Sequence, residues 1–78
     1  MISAVVLVNT DLDVQDRVIE SLRFVDGVEE AHALYGVYDV LVKIKGNSID
    51  KLKEIIKLRI KPIADVNSLL TLMIVQDN

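Results

Sequence analysis

Two segments at opposite ends of the chain, 2–8 and 66–75, carry apolar residues at both parities of a strand. Strands alternate their side chains between two faces, so a segment apolar at both parities must be covered on both. In the last segment Val66, Leu70, Leu72 and Ile74 oppose Leu69, Met73 and Val75. Any fold for this chain has to cover two faces of one sheet, and the pattern between these segments offers only two helices for the task.

The first helix is read from Val14, Val18, Leu22 and Val25, which recur at steps of four and three with Ile19 beside them. Asp13 is the expected cap, Asp16 complements the first-turn N–H groups, and Asp26-Gly27 ends the element. Val28 to Tyr35 reads as a second strand, with Val28, Glu30, His32 and Leu34 on one parity and Glu29, Ala31, Ala33 and Tyr35 on the other. Gly36-Val37 is expected to turn the chain into a third strand, Tyr38 to Lys45, as an antiparallel hairpin. Its Val40, Val42 and Ile44 share a face opposite Leu41, Lys43 and Lys45.

Asn47 or Ser48 then caps a second helix, whose stripe is Ile49, Leu52, Ile55, Ile56 and Arg59 or Ile60. Glu54 stands three residues before Lys57, a favourable helical pair, and Pro62 places the end near Lys61. The order is βαββαβ within a single domain spanning residues 1–78. This is the α+β, ferredoxin-like arrangement, a four-stranded antiparallel sheet with two helices on one face. Right-handed crossovers place the first and third strands in the centre.

The other sheet face is then left apolar and bare, which predicts a homodimer of two sheets packed face to face, a dimeric α/β barrel-like assembly. Burying ~600 Å² of apolar surface per subunit would contribute about 15 kcal/mol before the entropy of association is subtracted. Composition excludes several function classes. With no cysteine and one histidine, neither a thiolate nor a histidine metal site is expected, and no cofactor motif is present. A formal charge of -3 disfavours direct nucleic-acid binding through phosphates. The longest apolar run, Ala4 to Val8, is far short of the roughly 20 residues that span a bilayer, and no secretory signal is legible, so a cytoplasmic location without membrane contact is expected. Six of the nine basic residues are lysines between Lys43 and Lys61, read as a modest positive flank of solvated surface.

The corner Leu34-Tyr35-Gly36-Val37-Tyr38-Asp39 concentrates the polar oddities. A turn needs its glycine, but it needs neither the tyrosines nor an aspartate entering a buried strand. Asp39 reads as a turn residue accepting backbone N–H bonds, as an anchor for a cationic group, or as a brace for a loop whose free N–H groups bind the carboxylate of a small ligand. His32 has no legible acid partner, and no nucleophile, base and orienting group assemble, so no catalytic residue is assigned.

These residues resemble the effector-binding domain of the Lrp/AsnC family of transcription regulators. Val28-Glu29-Glu30-Ala31 opens the stretch, Gly36-Val37-Tyr38-Asp39 matches the family's G-x-Y-D corner, and Val66, Thr71 and Ile74-Val75 match its last strand. The resemblance runs from Ala4 to Gln76. It implies sheets paired into dimers, dimers joined into rings, commonly octamers, and small effectors, usually amino acids, bound in clefts between dimers. Gly36, Val37, Tyr38 and Asp39 would form one wall, with Ser68, Leu69, Leu70 and Thr71 near the opposing subunit.

The family's helix-turn-helix half is not in this sequence, which resembles the stand-alone members that bind small ligands or modulate full-length regulators by co-assembly. Leu69-Leu70 stand where the family often has threonines, which favours an apolar effector side chain or no effector at all. The expected function is therefore a stand-alone amino-acid-binding and oligomerisation module. The alternatives are an interaction module that co-assembles with a full-length Lrp/AsnC regulator without a ligand of its own, and a small dimeric ferredoxin-like enzyme using His32, Asp39 or a tyrosine.

Overall fold

A computed structural model describes residues 1–11 and 13–74. The elements are β1 (Ile2–Thr10), α1 (Gln15–Arg23), β2 (Val28–Ala33), β3 (Val40–Gly46), α2 (Ile49–Ile55) running into a π-helical turn (Ile56–Ile60), and β4 (Val66–Ile74). All pairings are antiparallel and the sheet order is β2-β3-β1-β4, the ferredoxin-like βαββαβ topology with β1 and β3 at the centre. Val75 of the expected last strand and Leu12 of the first loop lie outside the described residues.

The helices cover one face of the sheet. Ala4, Val6 and Val8 of β1 stand beside Ile44, Val42 and Val40 of β3, and all six are fully buried. Val18, Ile19 and Leu22 of α1 and Leu52, Ile55 and Ile60 of the second helical segment close over them. The alternation expected for β3 is thus found, with Leu41 and Lys43 turned the other way and only half-buried.

In β2 the parity expected from sequence is wrong at its start. Val28 pairs with Ile44, but Glu30 already pairs with Lys43, so one extra residue is accommodated between them. Such a bulge reverses the side-chain phase. Val28 therefore joins the core on the same side as Ala31, not the side of Glu30 and His32. Both strands of this hairpin are also shorter at the corner than expected, because the chain leaves the ladder at Ala33 and rejoins it at Val40.

Helix ends follow local chemistry with two corrections. Ser48, of the two candidates, caps α2, its Oγ accepting from Lys51 N at 3.1 Å. Asp13 does not cap α1: it adopts a positive φ of 69°, Val14 takes the cap position and the helix begins at Gln15 without a side-chain cap. Glu54 pairs with Lys51 at 3.1 Å rather than with Lys57. Lys61 N donates to Ile56 O at 2.8 Å, five residues back, and this wide turn brings Ile60 into the core after Ile55. The helix then ends at Lys61, just before Pro62, as expected.

Candidate functional site

The corner is a loop from Leu34 to Asp39, not a two-residue turn at Gly36-Val37. Leu34 N donates to Asp39 O at 2.8 Å and closes its base, while Asp39 N donates to Val8 O at 2.9 Å and ties that base to β1. Gln15, the first residue of α1, donates from Nε2 to the carbonyl oxygens of Leu34 (3.4 Å) and Asp39. The base is therefore closed on itself and held by two elements, β1 and α1.

The tip is open. Tyr35, Gly36 and Val37 are exposed, and Tyr38 is half-buried on the way back to the sheet. Gly36 has φ +138°, a conformation that side chains rarely adopt, although a Cβ there would meet nothing within 4 Å. The backbone, not packing, demands the glycine.

Asp39 turns its carboxylate away from the tip. Oδ2 accepts from Thr10 N at 2.9 Å, satisfying a backbone donor where β1 leaves the sheet. The other flank of this strand end is tied to β4: Asn9 Nδ2 donates to Ser68 Oγ at 3.0 Å, Asp11 N to Asp65 O at 3.2 Å, and Asn67 Nδ2 to Asp11 Oδ1 at 2.8 Å. Asn67 is the residue passed over where the β1–β4 register shifts between Asn9 and Thr10. Thr10 and Gln15 as tethers were not foreseen, since nothing local in the sequence links them to a residue more than twenty positions away.

The last-strand positions divide between two faces. Ser68 and Leu70 stand beside Asn9 and Leu7 on the bare face, while Leu69 and Thr71 stand beside Val8 and Val6 on the helix face. Ser68, Leu69 and Thr71, but not Leu70, line a groove of about 610 Å³ between β4 and the second helical segment, with Lys53, Lys57 and Lys61 also among its lining residues.

The bare face carries Val5 and Leu7 of β1, Leu41 of β3, and Leu70 and Leu72 of β4 in adjacent register. Leu70 and Leu72 are 42% and 49% exposed, part of a contiguous apolar strip that no helix among the described residues covers. His32 lies beside Leu41, and its Nε2 meets Glu30 Oε1 at 2.9 Å. The acid partner that sequence reading found missing is thus Glu30, two residues away on the same parity. The hydrogen bond from His32 holds the Glu30 carboxyl below the usual carboxylate range against an opposing desolvation effect, with the charges of His32 and Lys43 adding lesser contributions.

His32, Asp39 and Tyr35 are not gathered into one cavity: the first pairs with Glu30, the second with Thr10 N, and the third is fully exposed. Among the described residues no group of three or more His, Asp or Glu side chains is placed to hold a metal ion, and no helix is long and apolar enough to cross a membrane.

The model of the Lrp/AsnC ligand-binding domain matches residues 3–77. The chain belongs to this family. Among solved structures, this Lrp/AsnC domain is similar to a hypothetical protein from Pyrococcus horikoshii, with a TM-score of 0.91, 26% identity, and coverage of 99% of this chain and 93% of the other. FFRP-DM1 is equally similar, with a TM-score of 0.90, 27% identity, and coverage of 96% and 100%. A transcriptional regulator from Neisseria meningitidis, solved as a complex with L-Met, shares the fold at a TM-score of 0.85 and 15% identity, with coverage of 97% of this chain and 51% of the regulator. Comparison with curated proteins gives no significant match. Membership identifies a regulatory ligand-binding domain, a class that is generally non-enzymatic.

Proposed function

We propose that this chain is a stand-alone effector-binding and assembly module, acting in the cytoplasm, that pairs through its bare sheet face and takes a small amino acid beside the Gly36 to Asp39 corner. The observation that carries this reading is the contrast within the corner. Its base is tied to β1 and α1 by Asp39 and Gln15, whereas its tip, Tyr35 to Val37, is exposed and makes no such tie to the described residues.

A loop held this way keeps its tip groups in position without using them on the subunit's own fold. Pairing of the Val5, Leu7, Leu41, Leu70 and Leu72 strip with a second copy would remove apolar surface from water. The corner, at one end of the sheet, would then lie by a boundary between subunits. The family supports ligand binding, and the Neisseria regulator of the same fold was solved with L-Met. In this reading the effector lies between dimers, with Gly36, Val37, Tyr38 and Asp39 on one side and Ser68, Leu69, Leu70 and Thr71 contributed by a neighbouring subunit. The dimers close into an octamer or a similar ring.

Calorimetric titration with the amino acids, combined with sedimentation analysis, tests this. The expected result is a dimer or larger ring that binds at least one amino acid. Stable assemblies that bind none would remove the effector half of the proposal. One observation favours a second reading, co-assembly with a longer regulator: the fold of this chain makes up about half of the Neisseria protein. Co-expression with a full-length regulator of the family and native mass spectrometry would reveal mixed assemblies if that is the role.

A further inference from the structure

The groove between β4 and the second helical segment has a charge unlike that of the rest of the chain. The protein carries a formal charge of -3, yet Lys53, Lys57 and Lys61 all line this groove, and no acidic residue does. Among the described residues the ion pairs are Glu30 with His32, Glu29 with Lys45 and Glu54 with Lys51, so none engages these three ammonium groups.

Their alignment depends on the π-helical turn. Residues four apart drift steadily around an α-helix, which would carry the third lysine away from the first. The extra residue in the turn from Ile56 to Lys61 offsets that drift and keeps Lys61 on the groove with Lys53 and Lys57. Below the lysines, Ile56, Val66 and Leu69 give the groove an apolar floor, and Thr71 adds a hydroxyl. Apolar floor and cationic rim together suit a short methylene chain ending in a carboxylate.

We propose that this groove holds the side-chain carboxylate of the effector, which makes the ligand an acidic amino acid, L-glutamate or L-aspartate. This rests on the effector reading above and specifies its ligand class. It also replaces the wholly apolar effector side chain suggested by Leu69-Leu70, since only Leu69 of that pair lines the groove. The α-ammonium and α-carboxylate are left to the corner of the neighbouring subunit, and that loop would fill part of a groove larger than one amino acid.

Calorimetry with L-glutamate, L-aspartate, L-glutamine, L-methionine and glutarate tests the inference. The expected result is that L-glutamate or L-aspartate binds tightest, at least about tenfold tighter than glutamine, with an affinity that falls as sodium chloride is raised. Lys57→Gln and Lys53→Gln, both on exposed helical positions and checked for unchanged thermal unfolding, should weaken glutamate binding at least about tenfold and erase the preference for glutamate over glutamine. Methionine or glutamine binding as tightly as glutamate overturns the acidic class but leaves the effector reading intact. Glutarate matching glutamate overturns the assignment to an amino acid, and binding of none of the five overturns this inference, with the wider amino-acid titration deciding the effector reading itself.

Discussion

Asp39 Oδ2 accepts a hydrogen bond from Thr10 N at 2.9 Å, joining the residue just before β3 to the last residue of β1 across 29 positions of sequence. Removing the carboxylate leaves a partly buried N–H donor unsatisfied. Asp39→Ala is expected to lower stability by about 1–3 kcal/mol in urea unfolding, and Asp39→Asn, which keeps an acceptor oxygen, by less. Amide exchange at Thr10 should accelerate in the alanine variant; an unchanged rate would show that the bond does not hold the strand end.

Gly27 and Gly36 both sit at positive φ, 95° and 138°, but in different surroundings. A Cβ at Gly27 would lie 2.6 Å from Ile55 Cδ1 and 3.3 Å from Lys45 O, whereas one at Gly36 meets nothing within 4 Å. Backbone strain of about 1–3 kcal/mol applies to alanine at either site, and Gly27→Ala should lose more. Ile55→Val removes the clashing methyl, so the double variant should be more stable than the sum of the two single losses. Strict additivity in thermal unfolding would count against this contact.

The strip of Val5, Leu7, Leu41, Leu70 and Leu72 is expected to be the dimer surface. Leu70→Glu and Leu72→Glu each place a charge on it, and burying an unpaired carboxylate is unfavourable enough to prevent pairing. Sedimentation equilibrium at micromolar concentration should show dimers or larger species for the natural chain and monomers for the variants. A natural chain that sediments as a monomer would refute face-to-face pairing.

The Glu30 carboxyl titrates below the usual carboxylate range, chiefly because of its hydrogen bond with His32. A carboxylate with a depressed folded-state pKa stabilises the fold above its unfolded pKa, and this contribution is lost as pH falls through the folded value. In a carbon-detected NMR titration His32→Ala should move the Glu30 midpoint upward toward the usual range. No upward movement would mean that another group sets the shift.

Much of this architecture was legible along the chain. The spacing of Val18 and Leu22 marked one helix, Ser48 and Pro62 bounded the other, and alternation in Val40, Val42 and Ile44 named the buried face of β3. Such signals are local, because a helix or strand repeats its environment every 3.6 or 2 residues. The bulge that puts Val28 and Ala31 on one face has no periodic signature, and the expected parity failed there. Lys53, Lys57 and Lys61 were legible only as part of a positive flank of solvated surface, since composition cannot show that a π-helical turn holds them along one groove.

The order of amino acids determined the βαββαβ sequence of elements, the apolar content of both sheet faces and the need for a glycine at the corner. Tertiary structure decided the partners: Asp39 with Thr10, Gln15 with the corner's carbonyls, His32 with Glu30, and Leu69 apart from Leu70. Periodicity is set by neighbours a few residues away and survives in a one-dimensional record. Hydrogen-bond register and the single-residue shifts that break it arise only when distant strands meet, and they settle which side chains remain for a ligand.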